Sequence, residues 1–176
     1  MRFRVSHTIL LAVMFLVAIG VIYLQSSIRA GSFYSSPTIS PDGTKVYIPL
    51  SFVEEQRLVF LDLRIENRLN EITYNSRIIP LSLYKDGEYL PLVIILTPSR
   101  KITSGIRVCE PCGSFSFHII QEKYLDCDVC HTRWDVESLK GISGACTDYP
   151  PPELPSSLIG DRIEIDLSSL GIRVKP

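Results

Sequence analysis

Net charge is what this chain has least of: 18 Lys and Arg balance 19 Asp and Glu across 176 residues, leaving −1 and a pI near 6.3. No run of basic residues interleaved with aromatics occurs, so the electrostatic footprint of a nucleic-acid-binding protein is missing. No nucleophile–base pair and no recognisable substrate pocket can be read from the residues, which favours a non-enzymatic role. Long helices are disfavoured by twelve prolines and ten glycines, which point to strands and loops instead. What remains fits one anchor and one compact, mainly β domain.

The one long uncharged stretch is Thr8 to Leu24, seventeen residues preceded by Arg2 and Arg4. As a helix it would extend ~25 Å, slightly under a ~30 Å hydrocarbon core. Val5 to His7 and Gln25 to Ser27 could fill the interfacial remainder. A cleavable signal peptide is the competing reading. The run is long for that, and no clean small-x-small site follows, Ile28-Arg29-Ala30 being a poor one. The expectation is therefore a single-pass membrane helix at residues 1–25 contacting the lipid bilayer. Arg2 and Arg4 against Arg29 place the N-terminus inside and the remainder outside the cytoplasm. Residues 26–43, rich in Ser, Gly and Pro, read as a solvated linker, and 44–176 as an extracytoplasmic β domain.

Within that domain, Asp42-Gly43 marks a turn into Lys45 to Leu50, the first β-like run. Arg57 to Arg64 is the next; alternation puts Val59, Leu61 and Leu63 on a core face, and Leu58, Phe60 and Asp62 on a face covered at one end only. Arg77 to Tyr84 and Glu88 to Thr97 flank Lys85-Asp86-Gly87, a hairpin signal. Pro80 and Pro91 cannot donate to a ladder and belong at edges or bulges. Asp161 to Leu167 reads as a closing strand.

All five cysteines fall between Val108 and Tyr149. Cys109-Glu110-Pro111-Cys112 and Cys127-Asp128-Val129-Cys130 are two Cys-x-x-Cys knuckles separated by fourteen residues, and Cys146 follows after fifteen more. Each knuckle aims two sulfurs at one point, and two knuckles can supply a tetrahedral thiolate set suited to zinc or iron. The intervening Ser114 to Gln121, with a turn at Glu122-Lys123, makes the order knuckle, hairpin, knuckle, as in zinc ribbons and rubredoxin-like sites. Phe115, Phe117, Tyr124 and Trp134 could screen such a centre, or be ordinary core. Gly141 and Gly144 would let the backbone approach it closely, and Pro150-Pro151-Pro152 is stiff enough to act as a cover. Cys146 could complete a cluster, replace a knuckle sulfur or remain a free thiol. His131 reads as a hydrogen-bond donor to a sulfur or a surface residue, and His118 as structural. Disulfides are the rival, but a knuckle closed on itself staples only a tiny loop, and the odd count leaves one cysteine over.

From Cys109 onward the chain resembles the FtrD-like iron–sulfur membrane proteins. The likeness rests on Cys109-Glu110-Pro111-Cys112, on Tyr124-Leu125-Asp126-Cys127-Asp128-Val129-Cys130, and on Lys140-Gly141 through Gly144-Ala145-Cys146 followed by prolines. It implies Cys109, Cys112, Cys127, Cys130 and Cys146 as ligands of an iron–sulfur cluster. It also implies partners among membrane redox or metal-transport proteins, including iron transport. His131 stands where the family usually has glycine, and Ala145 where it tends to. A weaker likeness, over Cys127 to Leu167, is to the second half of a Rieske domain. The second knuckle ends in Cys130, not histidine, so that likeness concerns fold and not ligands. Taken together, the expectation is a membrane-anchored, mainly β electron-transfer protein with a zinc-ribbon/rubredoxin-like or Rieske-like double-knuckle subdomain. The alternatives are a structural zinc-ribbon binding module and a thiol–disulfide oxidoreductase.

Overall fold

The computed structural model describes residues 7–26 and 28–175, and the side chains of all of these except 7–8 and 21–26. Helix α1 (His7–Ser26) is followed by β1 (Ile28–Ala30), β2 (Ser32–Phe33) and β3 (Thr38–Ile39). Next come β4 (Lys45–Pro49), the short helix α2 (Leu50–Gln56) and the long β5 (Leu58–Ile65). β6 (Ile72–Tyr74), β7 (Arg77–Ile79), β8 (Tyr89–Leu96) and β9 (Ile102–Ile106) complete the first part. The cysteine segment supplies β10 (Phe117–Ile120), β11 (Tyr124–Cys127), β12 (Arg133–Asp135) and β13 (Gly141–Ser143). The chain closes with β14 (Glu153–Leu154), β15 (Ser156–Ile159), β16 (Arg162–Asp166) and β17 (Val174–Lys175).

The antiparallel pair β5–β8 is the centre of a sheet ordered β14-β9-β8-β5-β17, with β2 added in parallel to β5. Both faces of this pair are apolar. On one, Val59, Leu61, Leu63 and Ile65 join Leu90, Leu92, Ile94 and Leu96. They pack against Val46, Ile48, Ile163 and Ile165 from the sheet β15-β16-β4-β3. On the other, Leu58, Phe60, Val93 and Ile95 meet the sheet β1-β10-β11-β12-β13, whose strand β11 ends at Cys127. The alternation read from Arg57 to Arg64 thus marks which core each side chain enters. The second face ends at Asp62, where polar partners take over.

Several local expectations change. Residues 26–43, expected as a spacer, supply β1, which pairs with β10, β2, which pairs with β5, and β3, which pairs with β4. The hairpin expected around Lys85-Asp86-Gly87 does not form. β7 instead turns back on β6 through Asn75 and Ser76, whose φ values of 49° and 63° match a tight two-residue turn. Residues Leu81–Leu83 and Lys85–Gly87 form 3-10 turns, and β8 pairs with β5 and β9. Pro91 lies inside β8, opposite Asp62. Its carbonyl accepts Arg107 N–H (2.9 Å), just past the end of β9. A residue's N–H and C=O point to the same side of a strand, so the missing donor faces that ladder's end and costs no bond to β5. The glycine at 105 is needed where Pro152 crosses β9, since a Cβ there would stand 2.7 Å from Pro152 O. The triproline segment therefore runs along β9 into β14.

The single-pass anchor expected at residues 1–25 is not supported by the structure. The described side chains of α1, Ile9 to Gly20, are apolar and exposed. Among the described residues, no helix is long and apolar enough to cross a membrane.

Truncating Leu61, fully buried in the larger core, to alanine should cost about 3 kcal/mol in chemical denaturation. Val129→Ala, at a side chain 61% exposed, should cost under ~0.5 kcal/mol.

Candidate metal centre

The two knuckles are built by one backbone pattern. In the first, Cys109 N–H donates to Ser114 O (2.8 Å) and Gly113 N–H to Cys109 O (2.9 Å). In the second, Cys127 N–H donates to Thr132 O (3.0 Å) and His131 N–H to Cys127 O (2.9 Å). Gly113 and His131 occupy equivalent positions, and both have positive φ, 66° and 52°. That conformation is free for glycine and costs a side-chain-bearing residue about 1 kcal/mol. The departure at His131 noted in the sequence is thus a backbone matter. Its ring is 74% exposed and 3.4 Å from Asp126.

The hairpin β10–β11 brings the knuckles together, pairing Phe117 with Cys127. Its three-residue connection, Gln121 to Lys123, turns through left-handed Gln121 and Glu122 (φ 55° and 54°), with Lys123 N–H donating to Ile120 O (3.1 Å). As a result the sulfurs of Cys109, Cys112, Cys127 and Cys130 all lie within 4.8 Å of one another. Cys109 Sγ is 3.9 Å from Cys130 Sγ, and Cys112 Sγ is 3.6 Å from Cys127 Sγ. For a metal–sulfur bond of ~2.3 Å, a tetrahedron has sulfur edges of about 3.8 Å. The donor set therefore fits one tetrahedral ion. All five cysteines are free, and these separations are far beyond a ~2.05 Å disulfide bond.

Titration of the thiols reflects their crowding. Hydrogen bonding from Cys109, reinforced by the amides of Cys130 and Val129, lowers Cys127 to about 4. Cys109 is pushed strongly upward by its hydrogen bond to Cys127 and by burial. Burial raises Cys112 to about 11. Without a cation, one thiolate is favoured and its neighbours keep their protons.

Around the sulfurs, Trp134, Phe117 and Leu125 are buried in the same cluster as Cys109, Cys127 and Cys146. Trp134 Nε1 donates to Thr147 O at 3.0 Å, holding the segment that carries Cys146. Cys146 is buried but stands outside the four-sulfur group. Phe115 packs against Tyr84 and the larger core, and so does not screen the sulfurs. His118 faces Asp128. Gly141 and Gly144 permit close approach to Thr147 and Thr132, not to the sulfurs themselves.

Two arginines not singled out by sequence reasoning fix the first knuckle. Arg77 forms a two-pronged ion pair with Glu110, inside the knuckle, and donates to Pro150 O (2.9 Å). Arg107 is 3% exposed, held between the rings of Phe60, Phe33 and Tyr84 at 4.5, 5.0 and 5.2 Å. It donates to Asp62 (2.6 Å), Tyr84 Oη (2.9 Å) and Phe115 O (2.7 Å). A lone charge between Ile106 and Val108 was the available signal.

A family model described as FtrD-like, membrane iron-sulfur containing protein, matches residues 75–174, which include all five cysteines, Arg77 and Arg107. The chain belongs to this family. No curated protein matches the sequence. The family description and the four-cysteine group agree on a cysteine-ligated metal protein.

In the metal-free protein, thiolate absorbance should retain one component until the pH falls through about 4, and Cys127→Ser should remove it. The folded value lies below the ordinary thiol value of 9.0. The associated stabilisation is therefore fully present above pH ~9 and gone once the pH has dropped through ~4. His131→Gly should keep the metal content and raise stability by about 1 kcal/mol in chemical denaturation. Arg107→Met should lower stability by about 3 kcal/mol, because Asp62 and Phe115 O lose their buried partner.

Proposed function

We propose that this FtrD-like chain is a membrane-associated electron-transfer protein whose four knuckle cysteines hold a single iron ion as a tetrathiolate. The observation that carries the reading is the spacing of the four sulfurs, all within 4.8 Å of one another. A cluster of two or more irons needs bridging sulfides between its metals, which would set the terminal thiolates further apart. Bound there, iron would supply a one-electron couple. Cys109 and Cys127 anchor the site from the buried side, with Phe117 and Trp134 excluding water beside them. Cys112 and Cys130 are only half-buried, which gives a docked redox or metal-transport protein of the membrane a short route to the centre. The exposed apolar side chains Ile9 to Ile19 of α1 are the surface proposed to meet lipid.

The same sulfur spacing fits zinc, so a structural zinc ribbon is the second reading. It differs in having no redox chemistry, and in the metal acting only on stability. Anaerobic purification with metal analysis and a visible spectrum separates the two. The electron-carrier reading expects one iron per chain and colour that bleaches on reduction. One zinc per chain and a colourless protein would overturn it. Reversible thiol titration with no bound metal would support a thiol–disulfide oxidoreductase.

A further inference from the structure

Thr132 is completely buried, and its side chain lies between the second knuckle and the segment leading to the fifth cysteine. Thr132 Oγ1 is 3.3 Å from Cys130 Sγ and accepts the Cys146 N–H at 3.1 Å. Its own carbonyl accepts the Cys127 N–H at 3.0 Å. One residue thus touches a sulfur of the candidate centre, the backbone of another knuckle cysteine, and the backbone of Cys146.

A hydroxyl has one proton to donate and two lone pairs to accept with. With a lone pair of Thr132 Oγ1 taken up by the Cys146 N–H, the proton is left for the nearby sulfur. We propose that Thr132 is a positioning residue for the metal centre, donating its O–H to Cys130 Sγ when that sulfur is a metal-bound thiolate. The inference rests on the four-sulfur metal reading. It assigns the Cys146 segment a role that needs no fifth sulfur ligand: the Cys146 amide orients the hydroxyl. Gly144 is required for this contact. Its φ is 105°, and a Cβ there would lie 2.5 Å from Thr132 Oγ1 and 2.6 Å from Thr132 Cα. Trp134, through Thr147 O, holds the same segment down.

A donor on a thiolate draws electron density from the sulfur and stabilises the more reduced, more negative state of the centre. Losing it should make reduction harder and move the sulfur-to-metal charge-transfer band to lower energy.

The test compares the full chain with Thr132→Val, which keeps the shape but removes the O–H, and Thr132→Ser, which keeps the O–H. In iron-loaded protein, Thr132→Val is expected to shift the oxidised-to-reduced equilibrium roughly tenfold, a fall of about 59 mV for one electron. Its charge-transfer band should move to lower energy, while Thr132→Ser stays near the parent on both readouts. Cobalt(II)-loaded protein gives the band shift if the native metal is zinc. Cys146→Ala, which keeps the amide, should leave the band in place. An unmoved band and potential in Thr132→Val overturns the proposal. So does a Thr132→Ser protein displaced as far as Thr132→Val, or a Cys146→Ala band that moves with it. If Thr132→Val does not fold, Thr132→Ala serves in the same comparison with serine. Failure of the parent chain to bind any metal would instead sink the metal reading itself.

Discussion

Four sulfur atoms held this close cannot all carry charge unaided. Two thiolates at 3.6 Å repel by about 5 kcal/mol at an effective dielectric of ~20, so the metal-free site settles on one ionised sulfur. The downward shift of Cys127 and the upward shift of Cys109 express that compromise. A bound cation reverses the balance by supplying positive charge at the point the thiolates surround. The protein must therefore hold the four sulfurs within one ion's reach in both states, and much of the architecture serves that need.

The rigidity comes from the β5–β8 pair, which is apolar on both faces and packed on both. One face carries the scaffold sheet and the other the cysteine sheet, so the centre rests directly on the best-buried strands in the fold. At the boundary Arg107 joins the central sheet to Phe115, and Arg77 joins Glu110 to Pro150. Each arginine reaches backbone as well as a carboxylate, and so fixes the course of the chain near the first knuckle as well as neutralising a charge.

Much of this was legible in the residues because it follows from local pattern. Val59, Leu61 and Leu63 alternate with Leu58 and Phe60, and the two sets do enter different environments. Two Cys-x-x-Cys pairs flanking a short hairpin do converge. What could not be read was pairing between distant segments. Asp86-Gly87 looks like a hairpin turn in isolation, but the central sheet claims β8 for β5 and β9, and Asn75-Ser76 turns β7 elsewhere. Short strands such as Ser32–Phe33 have no periodicity to detect and exist only because a neighbour is there to bond. Thr132 was likewise invisible, since a threonine's meaning depends on which sulfur stands beside it.

The way the chain leaves α1 carries a geometric consequence. Ser26 ends the helix and Ile28 is already paired with Ile120, at one end of β10, while Phe117, at the other end, stands opposite Cys127. At ~3.4 Å per residue, about 10 Å of extended strand separates that attachment point from the sulfur end. Strand pairing of this kind acts as a ruler. The four-sulfur group is thereby spaced from the strand that follows α1 by the length of β10.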